Sequence, residues 1–166
     1  MNMLPRRLTS PVVFVVPLLI LSLAAQATPA QAEMTFTAVL DGQHSVPPTD
    51  SPATGTATLV LNDARTEVRY DIQFTGLVGQ ETEAHFHRGR AGTIGPILYT
   101  LPLGSSMTGV WPVSEEEVAD LLAGHVYILV HSDPYWTGEI RGDLELVSLA
   151  TDRATWGRLK SIFSQP

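Results

Sequence analysis

The chain contains no cysteine. That excludes disulfides, a thiolate metal site, a thiol nucleophile and a lipid-modified N-terminal cysteine, so any metal here must be ligated by histidine and carboxylate. Basic residues are also scarce. From Glu33 onward there are eight of the ten basic residues and all seventeen acidic ones, a formal charge of −9. Phosphate binding needs a basic footprint, so nucleic acid is excluded as a partner and anionic lipid is disfavoured. Several catalytic signatures are missing too. There is no Gly-x-Ser-x-Gly segment for a nucleophile elbow and no glycine motif that would cradle phosphate. Asp41, Asp50 and Asp133 lie in loops, but no spaced calcium-loop motif contains them.

Charge is absent altogether between Leu8 and Ala32. Arg6 and Arg7 precede this run, its core "PVVFVVPLLILSLAA" is apolar, and Ala30 and Ala32 form the small-x-small pattern of a cleavage site. These three regions predict a secretory signal peptide over 1–32, cleaved after about Ala32. The apolar core is short for a membrane span and Pro17 interrupts it, so the mature domain is expected to be exported and not membrane-spanning. At 134 residues the remainder is one domain, large enough to be held by its apolar core alone.

What the remainder does have is short strand-like runs between turn formers. "MTFTAVL" (34–40), "TATLVLN" (56–62) and "TEVRYDIQFTGL" (66–77) alternate apolar with polar. In the last, Val68, Tyr70, Ile72 and Phe74 share one face, the mark of a half-buried antiparallel strand. "ETEAHFH" (81–87), a glycine-rich loop (88–96), "ILYTLPL", the wholly apolar "HVYILVH" (125–131) and "TGEIRGDLELV" (137–147) follow. In this last strand Ile140, Leu144 and Leu146 are expected to face inward. Six or seven such strands predict an all-β fold, an antiparallel β-sandwich of the Ig-like, Greek-key type. One helix is expected at 114–123: Ser114 caps it, Glu117 completes a capping box, Val113 and Val118 form a staple, and Gly124 ends it. The segment 149–166 differs in character. Trp156, Leu159, Ile162 and Phe163 fall at helical spacing, which fits either a packed terminal helix or an exposed docking tail.

The concentrated chemistry is histidine. His85 and His87 are two apart on one strand and project from the same face, with Phe86 turned to the core. Glu81 and Glu83 share the histidine face, which is therefore expected to be polar and outward. If the 125–131 strand lies alongside, His131 brings a third imidazole to the same end of the sheet. Three histidines with one further position suit zinc or copper, and His44 and Glu139 are the candidates for the fourth ligand. Arg141, on the same strand face as Glu139, is a partner for it or for a neighbouring carboxylate. His125, directly after the helix, is the least suited participant. The plain alternative is that these histidines are solvated or bond the backbone at strand ends.

The segments "AVLDGQHSVPPTDSPATGTATLVL" (38–61), "GL…EAHFHRGRAGTIGPI" (76–97), "LLAGHVYILVHSD" (121–133) and "GEIRGDL" (138–144) together resemble the CHRD (chordin-type) domain family, in the family's order and over nearly the whole mature domain. The resemblance implies a β-sandwich module of extracellular proteins, named from antagonists of bone-morphogenetic signalling and widespread among bacterial secreted proteins. It implies fold and location more than activity. Where the family has glutamate in a "QEVPP" segment, this chain has His44; if that glutamate is a ligand, His44 keeps the role with another donor. The function expected is a non-enzymatic binding module holding copper or zinc through His85, His87 and His131, with an extracellular protein or glycan as partner. Two other readings stay open. One is a metal-dependent redox enzyme, since "GL…AHFH" is similar to the His-x-His segment of copper/zinc superoxide dismutase. The other is a structural or adhesive module in which the histidines are incidental.

Overall fold

The computed structural model describes residues 32–149. The export signal read over 1–32 and the tail read over 149–166 lie outside the described residues but for their inner ends. Among the described residues no helix is long and apolar enough to cross a membrane.

The expected all-β, antiparallel fold with one short helix is what forms. In chain order it consists of β1 (Met34–Asp41), β2 (Thr54–Leu61), β3 (Glu67–Thr75), β4 (Glu81–Arg88), β5 (Ile97–Thr100), β6 (Met107–Pro112), α1 (Glu115–Leu122), β7 (Val126–Ser132), β8 (Tyr135–Asp143) and β9 (Glu145–Leu149). The strands join as one rolled sheet in the order β5-β4-β7-β8-β1-β2-β3-β6, with β9 beside β1. The two layers are halves of that sheet, joined where β1 meets β8 at the single residue pair Asp41↔Arg141. At the opposite side the two end strands approach, and the Tyr99 hydroxyl of β5 donates to the Val110 carbonyl of β6.

Alternation drives the packing. β3 buries Val68, Tyr70, Ile72 and Phe74 and exposes the residues between them. Phe36 and Leu40 of β1, Leu59 and Leu61 of β2, and Ile128 and Val130 of β7 fill the same core. Phe86 of β4 stacks on Trp111 of β6 with ring centroids 4.9 Å apart, and meets Tyr70 edge-on at 5.6 Å. These contacts tie the halves together across the interior, and burying such aromatic rings is worth about 1.5–3 kcal/mol each.

α1 closes one end. The Ser114 side chain accepts from the Glu117 N–H while the Glu117 carboxylate accepts from the Ser114 N–H, the reciprocal capping box expected from the sequence. Val118 and Leu121 carry the helix onto the core. The run 137–147, read as one strand, divides instead. At Leu144 the backbone N–H donates to the Val126 carbonyl, and past that point the chain leaves β7 and runs against β1 as β9. Ile140 and Leu144 are buried as expected, but Leu146, on the divided-off β9, is exposed.

Candidate metal centre

His85 and His87 are held on β4 and His131 on β7. These strands pair antiparallel with Glu83 opposite His131 and His85 opposite Leu129. The alternation that sends Phe86 into the core therefore sends all three imidazoles to the other face at one end of the sheet. Their ring centroids lie 5.5 Å apart for His85–His87, 5.4 Å for His85–His131 and 6.5 Å for His87–His131. One nitrogen from each ring can be chosen so that all three lie within 4.8 Å of one another.

This face was expected to be outward and polar; Glu83 stays exposed on it and His131 is half-buried, but the other two imidazoles are covered. His85 is 5% and His87 8% exposed. Two loops fold over them. The loop after β4 is held by Arg141 of β8, whose guanidinium donates to the Thr93 carbonyl (2.6 Å) and the Arg90 carbonyl (2.9 Å). It is also held by the Tyr127 hydroxyl, which accepts from the Gly95 N–H at 3.1 Å. The loop after β1 is held from the other side, where the Glu139 carbonyl accepts from Ser45 Oγ and from Thr49 Oγ1. Val46 and Pro47 of that loop meet Ile94, Tyr127, Leu129 and Thr137 around a cavity of about 280 Å³, with His87 and His131 in its wall.

The hydrogen bonds of the rings decide their tautomers. A carbonyl oxygen can only accept, so His87 Nδ1, 3.0 Å from the Gly95 carbonyl, carries the proton, as does His131 Nδ1, 3.0 Å from the Trp136 carbonyl. The lone pairs of both rings then reside on Nε2. Those two Nε2 atoms, and Nδ1 of His85, are buried without a hydrogen-bond partner. His85 Nε2 faces the Glu83 carboxylate at 3.9 Å. Buried polar nitrogens are rarely left unpaired, and three on one face, two of them with lone pairs free, match the donor set of a transition-metal site. The backbone acceptors behind two of them are the orienting contacts that ligating histidines use.

Electrostatics favour the same state. Burial, above all, holds the His85 ring below the usual imidazole range, helped by His131 and opposed by Glu83. Burial likewise dominates at His87; its bond to Gly95 opposes the shift, while His85, His131 and Arg141 add to it. Both rings are thus kept neutral, the form that ligates metal.

The two residues considered for a fourth ligand are placed elsewhere. His44 is exposed and its Nδ1 pairs with Asp41 Oδ1 at 2.7 Å. Glu139 is completely buried, and its carboxylate accepts from Ser51 Oγ (2.5 Å), the Val78 N–H (2.8 Å) and Ser132 Oγ. Glu139 and Arg141 are both interior, and Arg141 pairs with the neighbouring carboxylate of Asp143 at 2.7 Å, not with Glu139. His125 accepts from Arg90 Nε at 3.0 Å, apart from the cluster.

Sequence reasoning passed over Tyr127 and Gly95. The Tyr127 ring stacks on His87 with centroids 5.0 Å apart and planes 9° off parallel. Gly95 brings its carbonyl beneath His87 only because it has no side chain: a Cβ there would lie 1.6 Å from the Arg88 carbonyl oxygen. The glycine count of the loop signalled tight turns, but not this contact.

Compared with curated proteins and with solved structures, the chain has no match in either. The family model of the CHRD domain matches residues 36–144, a span that begins in β1, ends just past β8 and contains every histidine of the cluster. The chain belongs to the CHRD domain family.

Proposed function

We propose that the protein is an exported binding module whose His85, His87 and His131 hold one transition-metal ion, copper or zinc. The observation that carries this is three histidines that each offer a ring nitrogen within 4.8 Å of the others, with one nitrogen of each ring buried and unpartnered. Two of them have their tautomers set from behind by backbone carbonyls. Neutral imidazole suits both metals, and binding would remove the cost of leaving three buried nitrogens unsatisfied. Export is supported by the charge-free apolar run behind Arg6 and Arg7 and the Ala30-x-Ala32 pattern, together with the family. The role read here is binding without catalysis, and the acidic domain argues for a protein or glycan partner over nucleic acid.

The test is the metal content of the protein, purified without chelator or affinity-tag histidines, beside a His85→Ala/His87→Ala/His131→Ala variant. Near one equivalent of copper or zinc in the first and none in the second is expected. No metal in either, even after both metals are added, would sink the proposal, and the search would move to a protein or glycan ligand.

A further inference from the structure

Resting on that metal reading, we infer that the ion is cuprous copper with one coordination position left open, and that this position faces an apolar cavity admitting a small uncharged ligand. The first support is charge. Among the described residues the ligating cluster is three imidazoles and no carboxylate. Glu83, the acid beside it, is 65% exposed and 3.9 Å from His85, while Glu139 is fully engaged by Ser51, Ser132 and Val78. Three neutral ligands leave the ion's own charge uncompensated in a buried site. The cost of desolvating an ion rises steeply with its charge. A monovalent ion is therefore favoured over a divalent one, which would draw a water or hydroxide into its fourth position.

The second support is shape. Nε2 of His87 and of His131 are buried without partners, and both rings border the cavity of about 280 Å³. Its other walls are mainly Val46, Pro47, Ile94 and Leu129. The cationic group there, the Arg141 guanidinium, is committed to the Thr93 and Arg90 carbonyls and to Asp143. An anion entering this space would lose its hydration without gaining matched partners, whereas a small neutral molecule meets apolar walls and a metal with a free position. Cavities of this kind, apolar with a few fixed polar groups, are the usual setting for small ligands.

The probe is carbon monoxide on the protein loaded anaerobically with one equivalent of Cu(I), read by the infrared C–O stretch. A dative bond to the copper, with no change of oxidation state, is expected to give one sharp band that saturates at one carbon monoxide per copper. Thr137→Trp and Ile94→Trp, both at exposed positions on the cavity's rim, narrow its mouth without replacing a ligand. Both should keep copper stoichiometry and weaken carbon monoxide binding at least tenfold. Copper retained with no band overturns the open position, and a band unchanged in both variants overturns the cavity as its setting. Uptake of zinc but not Cu(I) overturns the inference while leaving the metal reading intact. Uptake of neither metal sinks both.

Discussion

The guanidinium carbon of Arg141 lies 3.6 Å from the centre of the Tyr127 ring, and the opposite neighbour of that ring is His87, stacked nearly parallel. A cation, a phenol and an imidazole thus form one column, and its far end grips the loop that supplies the Gly95 carbonyl. Arg141 is only 1% exposed, so its contacts are made in a setting where losing them is costly. Arg141→Lys keeps the charge but loses the planar fork that reaches two carbonyls and Asp143 at once. It is expected to destabilise the fold by about 2–4 kcal/mol and to weaken metal binding about 10- to 100-fold through misplacement of His87. Urea unfolding of the metal-free protein and chelator competition on the loaded one measure the two effects separately.

Gly95→Ala tests the orienting carbonyl more locally. The new methyl would collide with the Arg88 carbonyl, and the loop must withdraw, breaking the Arg88 N–H to Pro96 carbonyl bond and carrying the Gly95 carbonyl away from His87. Metal affinity is expected to fall about tenfold or more, with a fold destabilisation of about 1–3 kcal/mol. An affinity equal to that of the unaltered protein would show that the carbonyl does not set the His87 tautomer.

Glu139 separates structure from ligation. Glu139→Ala would leave the Val78 N–H and two serine hydroxyls facing no acceptor, at a cost of about 3–4 kcal/mol. Glu139→Gln retains one oxygen for Ser51 and Val78 and should cost about 1 kcal/mol. Metal stoichiometry of the Gln variant is expected to stay at that of the unaltered protein. Loss of metal from a folded Glu139→Gln protein would make this carboxylate a ligand after all.

Acid should destabilise the metal-free protein through the same rings that would bind metal. His85 and His87 both have their proton affinity lowered by folding. Above about pH 6.5, the ordinary imidazole value, both folded and unfolded forms are neutral and there is no penalty. As pH falls below it, the unfolded chain takes up protons that the folded chain refuses, so stability declines until the folded-state values are reached. Urea midpoints of metal-free protein followed from pH 8 to pH 5 should therefore fall, and a His85→Gln/His87→Gln protein should show a smaller fall. Equal slopes in the two proteins would count against neutral, buried imidazoles.

Much of this was legible in the residues. The strict alternation of 67–75 specified a half-buried strand, and the Ser114–Glu117 pair specified the helix start. Phe86 between two histidines told which face was core. β6 was not legible because Gly109 and Pro112 interrupt its pattern. The inward turn of Glu139 was hidden for another reason. Gly138 adopts φ +118, a backbone that side-chain-bearing residues rarely take, and the β7–β8 register shifts between Val130 and Ser132; strict alternation fails at such a point. The burial of the histidine face depends on loops anchored by residues distant in the chain, and no local periodicity reports that.

The histidines also come from strands far apart along the chain. Between β4 and β7 the polypeptide must first run through β5, β6 and α1. A chain that has not completed this circuit offers a metal only the adjacent pair His85 and His87, without the third imidazole. Metallation would then follow the completion of folding, and the compartment in which the last strand docks would determine which metal supply the protein meets. A protein carrying the proposed ion would thereby bear a record of where it folded.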